Sequence, residues 1–147
     1  MDGPDRLWWL HVVTASAVVG MSWFVQMVHY PLSRLVRTKD YALYHRQHIR
    51  RIGLLIAPLM LAEAEMASGV LLLAILAVGK TDLLLQPQWF TVSMVLLGII
   101  WLSTFLVQLR YHQQLDRGQD LNAIGRLSST HWLRTILWTL RLRTISG

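Results

Sequence analysis

The chain of 147 residues contains no cysteine. A disulfide framework, a thiolate-held iron–sulfur cluster and a thiol nucleophile are thereby excluded, and histidine and carboxylate remain as the side chains able to hold a metal. Charge is scarce as well. Asp, Glu, Lys and Arg make up 15% of the residues, where a soluble domain carries about 25%. Acidic residues are the rarer sign, 8 against 14 Lys and Arg, for a formal net charge of +6. In a soluble protein that excess would suggest nucleic acid. Here the basic residues flank apolar runs instead of forming a stripe, and no nucleic-acid partner is expected.

Apolar sequence fills the place of charge. Hydrophobic residues amount to 54% and the mean hydropathy is +0.41. Residues 7–33 and 83–109 carry no charged side chain, and in 52–79 only Glu63 and Glu65 intervene. A helix crossing the hydrocarbon layer needs about 20 such residues. The pattern predicts an all-α integral membrane bundle, a single domain over 1–147, with four transmembrane helices near 7–30, 52–79, 87–111 and 121–142. Pro31 ends the first, Gly79 with Lys80 ends the second, and Pro87 stands where the third begins. The second helix should start before the membrane, with Asp40 as its N-cap. The first apolar run is too long for the core of a signal peptide and lacks a small-residue cleavage site.

The fourth segment is the least apolar, because Arg126, His131 and Arg134 fall within Asp120 to Leu140. A span is expected there nonetheless. Asp120 can cap its start, and Thr130, Arg134 and Trp138 recur at i, i+4, i+8, a stripe that would face protein. An amphipathic helix lying on the membrane surface is the competing reading.

Orientation follows from the cations. The connection from Pro31 to Arg51 holds Arg34, Arg37, Lys39, Arg46, Arg50 and Arg51 against Asp40, whereas Lys80 is balanced by Asp82. The positive-inside rule puts the first connection in the cytoplasm and both termini outside, consistent with a multi-pass protein of the inner (cytoplasmic) membrane. Trp8, Trp9, Trp89 and Trp138 then mark an outer aromatic belt, and Tyr30, Tyr41, Tyr44 and Tyr111 an inner one.

In this topology His29, His45, His48 and His112 converge at the cytoplasmic boundary. His45 and His48 stand at i, i+3 on one helical face, and imidazole suits zinc, copper and iron. These four are the candidate metal ligands, with His131 or Glu63 completing the shell. A histidine also sits comfortably at a membrane interface, so each ring alone has a simpler explanation. Glu63 is more demanding, since a carboxylate inside the bilayer must be paired, protonated or metal-bound. It shares an azimuth with His45 and is expected to face inward and pair with Arg134. Glu65, about 200° away around the helix, must face elsewhere. Glu63 and Arg134 are also the candidate catalytic residues. Ser22, Gln26 and His29 on the first helix, and Thr104, Gln108 and His112 on the third, form polar seams, which suit a ligand-filled interior or ordinary hydrogen bonding between helices.

Trp8-Trp9-Leu10-His11, Pro31-Leu32-Ser33-Arg34-Leu35, Arg50-Arg51 before Ile56-Ala57-Pro58, Gly69-Val70-Leu71-Leu72, Trp89 and Tyr111-His112 occur in an order that loosely resembles the bacterial membrane-integral protoporphyrinogen oxidases. The resemblance covers the first ~115 residues. It implies a small helical membrane bundle that binds haem, with His11 in the place of the haem-linked histidine. The lysine that family carries early in its third helix is missing. His131-Trp132-Leu133-Arg134-Thr135 is similar to the closing helix of anthrone-oxygenase-like small membrane proteins.

The reading that absorbs most of these features is a membrane oxidoreductase whose histidine cluster holds iron or copper, or else zinc, and acts on a lipophilic small molecule or lipid. A protein binding b-type haem through His11 is the alternative. A non-catalytic assembly or transport factor, in which Glu63, Arg134 and His131 form a structural network, is another. Polar seams on a small bundle also favour a homodimer.

Overall fold

The computed structural model describes residues 3–76 and 87–146. The connection expected around Lys80 and Asp82 and the side chains of Trp8 and Trp89 lie outside the described residues. Within them the chain is helical apart from two short turns, with no strand. Four continuous helices result. Helix α1 covers 3–33 and is α-helical over Gly3–Phe24 and Tyr30–Ser33, with a π turn at Val25–His29 between. Helix α2 is Thr38–Leu76. Helix α3 covers 87–115, with a second π turn at Thr104–Gln108. Helix α4 is Leu121–Ser146. Three stretches are long and apolar enough to cross a membrane: Trp9–Ser33, Thr38–Gly69 and Thr91–Leu115.

The turns have local causes. Helix α2 starts at Thr38, two residues ahead of the expected cap, and Asp40 sits in its first turn, 3.0 Å from the Arg37 guanidinium. An acid there also complements the helix dipole. Thr38 Oγ1 donates to Gln119 Oε1 at 2.7 Å, and Gln119 Nε2 donates to the Val36 carbonyl at 2.9 Å, which ties the α1–α2 turn to the α3–α4 turn. Gly118 turns the chain at φ 153°, a region that L side chains avoid. Asp120 then caps α4 as expected, its Oδ1 accepting from the backbone N–H of Asn122 at 2.9 Å and of Ala123 at 3.1 Å. Pro58 lies inside α2 without ending it.

Helix α1 packs along α2 and α4, and α3 packs along α4, while α2 meets α3 through His45 on His112 and α4 through Glu63 on Arg141. Two apolar cores form at different heights. Val18, Met60, Ala67, Leu97, Ile100, Leu137 and Trp138 build the one nearer the termini. Val25, Tyr30, Tyr41, Leu115, Ile124 and Leu127 build the one at the turn end. Of the residues expected in the aromatic belts, Trp9 is exposed, whereas Trp138, Tyr30 and Tyr41 are buried core residues.

Helix α4 turns two of its four arginines inward, and Arg126 and Arg143 are exposed. Arg134 and Arg141 are buried, while Trp132, Leu133, Ile136 and Leu140 are exposed on the opposite side. The expected stripe holds at Arg134 and Trp138, both facing protein.

Candidate functional site

Between the two cores lies a cavity of about 210 Å³, and each helix contributes one imidazole to its wall: His29 from α1, His48 from α2, His112 from α3 and His131 from α4. Two of these rings depend on the π turns. At Val25–His29 the Tyr30 N–H donates to the Val25 carbonyl, and at Thr104–Gln108 the Leu109 N–H donates to the Thr104 carbonyl, five residues back in each case. A π turn admits an extra residue into a helix, and such turns are frequent at functional sites. Here one ends on His29 and the other ends four residues before His112.

Hydrogen bonds and ring contacts position the imidazoles. His29 and His48 lie face to face, centroids 3.4 Å apart and planes 7° from parallel. The Tyr44 hydroxyl sits 3.2 Å from His29 Nδ1. His112 stacks on His45 at 5.4 Å. The buried Gln26 amide bridges α1 and α4: its nitrogen donates to His131 Nδ1 at 3.0 Å and its oxygen accepts from Trp132 Nε1 at 2.7 Å and Ser128 Oγ at 3.2 Å. Tyr30 meets the His131 ring edge-on at 5.2 Å. On the other polar seam Gln108 Nε2 donates to Thr130 Oγ1 at 3.4 Å.

Arg134 also lines the cavity. It is buried, 9% exposed, and its Nη2 faces Met60 Sδ at 3.8 Å, while its Nε has no hydrogen-bond partner. Among the described residues no carboxylate pairs with it.

Sequence-predicted site residues therefore separate into two groups. His29, His48 and His112 come together as expected, and His131 joins them. His45 does not line the cavity: it stands behind His112, 2% exposed, with Nε2 3.7 Å from Asp116 Oδ1. Glu63 does face inward and Glu65 is exposed, but the expected Glu63–Arg134 pair is not formed. Glu63 instead pairs with Arg141, fully buried on both sides, and its Oε2 lies 3.4 Å from both His11 Nδ1 and Thr14 Oγ1. The reason is register. Both α2 and α4 run from the turn end, and α2 begins at Thr38, so Glu63 lies further along the bundle than Arg134, level with a residue two turns later on α4. Arg141 Nε donates to the Ser93 carbonyl at 3.3 Å and the guanidinium lies 5.6 Å from the Trp138 ring centroid. This second polar centre links all four helices and holds His11 away from the histidine cavity.

Arg141 is the residue that sequence reasoning missed. Its signal was available, since Arg134 and Arg141 stand seven residues apart and so share a helical face. Among the described residues no three His, Asp or Glu side chains already surround one point as metal ligands. No family model, no curated protein and no solved structure matches the chain.

Proposed function

We propose that the chain is an integral membrane oxidoreductase in which His29, His48, His112 and His131 hold an iron or copper ion beside a lipophilic substrate. The observation that carries this reading is one imidazole from each of four helices opening on one cavity. Four neutral nitrogen donors without thiolate suit these metals, and redox chemistry next to an apolar wall is the use such a site best fits. Ligation requires the stacked rings of His29 and His48 to turn toward a common point. The Tyr44 hydroxyl at His29 Nδ1 is an outer partner that would fix that ring's orientation, and ligation through His131 Nε2 requires the Gln26 amide to present its oxygen, so that it accepts from His131 Nδ1–H at 3.0 Å.

The same proposal makes α4 a fourth span. Its exposed face from Trp132 to Leu140 is mainly apolar and its two deep cations are buried, the distribution expected when charged groups in a bilayer face the bundle interior. The basic turn end, with Arg34, Arg37, Arg46, Arg50 and Arg51, faces the cytoplasm under the positive-inside rule.

The test is elemental analysis and an absorption spectrum of the full chain purified in detergent. About one iron or copper per chain is expected, lost in a His48→Ala/His112→Ala double variant that still folds to the same helix content. A Soret band in place of that signature would establish the haem reading. Metal-free protein with no chromophore would leave a non-catalytic bundle.

A further inference from the structure

Resting on that reading of the cavity, we propose that its ligand is a lipophilic carboxylate, with the anionic group on Arg134 and the hydrocarbon body among Val18, Val25, Ile52, Ile56 and Leu59. The argument starts from an unbalanced charge. A guanidinium out of water is costly without a partner, and buried charges inside a membrane protein pair with one another or mark a ligand pathway. Arg134 is 9% exposed and lines the cavity, yet its Nε has no hydrogen-bond partner and its Nη2 faces a thioether sulfur at 3.8 Å.

The inward acid in reach of α4 is already committed. Glu63 is held by Arg141, with His11 and Thr14 on its second oxygen. The bundle thus supplies a second cation where it has spent its carboxylate, at the wall of a cavity. His112 points the same way, because its buried Nδ1 also lacks a partner.

The shape of the site selects the rest of the molecule. The guanidinium fork matches a carboxylate bidentately. The five aliphatic residues from α1 and α2 give the body an apolar wall. An apolar cavity of about 150 Å³ holds benzene, so about 210 Å³ accommodates one ring with a short acid chain. A molecule so placed would bring its hydrocarbon against the imidazoles while its charge neutralises Arg134.

The experiment uses the full chain in phosphatidylcholine nanodiscs, with 4-phenylbutyrate and its neutral amide as probes, read by calorimetric titration and by thermal unfolding. The carboxylate should bind at least about tenfold tighter than the amide and raise the melting temperature. Arg134→Gln should abolish that preference, and Arg134→Lys, which keeps charge without the fork, should keep part of it. Equal affinity for acid and amide, or an unchanged preference in Arg134→Gln, would overturn the proposal. A phospholipid retained by the chain through detergent exchange and lost in Arg134→Gln would overturn it in favour of a lipid phosphate on Arg134. Repeating the titration on chelator-treated protein separates the two ideas: an Arg134-dependent preference in a chain that never contained metal would support this ligand class and refute the metal centre.

Discussion

Removing the Glu63 carboxylate should be among the most damaging single changes available to this bundle. Glu63 and Arg141 are both 0% exposed. In Glu63→Ala the guanidinium would retain the Ser93 carbonyl at 3.3 Å and the Trp138 ring at 5.6 Å. Breaking one side of a buried pair costs about 3–5 kcal/mol. A desolvated cation–π contact contributes about 2 kcal/mol and survives the substitution, which places the loss near the lower end, about 3 kcal/mol, or roughly 150-fold in the folding constant. Arg141→Met should cost less, since Glu63 keeps His11 and Thr14 and can take up a proton. Replacing both, Glu63→Leu with Arg141→Met, should recover most of the loss, because an apolar pair of similar volume is often neutral or better. Arg134→Met has the opposite sign: it removes a cation that has no acid partner and should leave stability unchanged or raised. Reversible unfolding in mixed detergent micelles, followed by tryptophan fluorescence, measures all four. A Glu63→Ala loss below about 1 kcal/mol, or an Arg134→Met loss as large as that of Arg141→Met, would refute the pairing.

Two further outcomes are expected. Asp120→Ala deletes the side-chain acceptor for two backbone N–H groups at the start of α4 and should lower stability by about 1 kcal/mol with an unchanged denaturant slope, while Asp120→Asn should keep most of it. Reporter tags inserted at Gly118 and at Thr81 should be labelled from opposite sides of the membrane, and labelling from one side would rule out the four-span topology.

How much of this was legible in the sequence depended on what each residue has to declare. The three apolar runs declared themselves by composition, and Asp120 by the ordinary rule for a helix cap. Helix α4 did not, because hydropathy sums all its side chains and cannot separate Arg134 and Arg141, which are buried, from Leu133, Ile136 and Leu140, which are exposed. The histidines were readable as a group, since His29, His48 and His112 each end or begin an apolar run. His131 lines the cavity, whereas His45, expected among the ligands, stands behind His112. The Glu63–Arg134 pairing failed on register, because α2 begins at Thr38, well before its apolar run, and so brings Glu63 level with Arg141. The π turns at Val25–His29 and Thr104–Gln108 had no signature in the spacing of apolar residues.

Those two turns set backbone economy against side-chain placement. Each holds one residue more than an α-helix would use there, at Val25–His29 and Thr104–Gln108. Deleting a residue from either would restore the regular ladder of hydrogen bonds, yet it would swing the two flanking segments relative to each other by about 100°, the angular step of one α-helical residue. His29 or His112 would then leave the cavity wall, or Val18 or Ile100 would leave the core on the other side. The chain cannot shorten at these points without choosing which of its two halves to misalign, so the least regular turns of the backbone are also the ones least free to change in length.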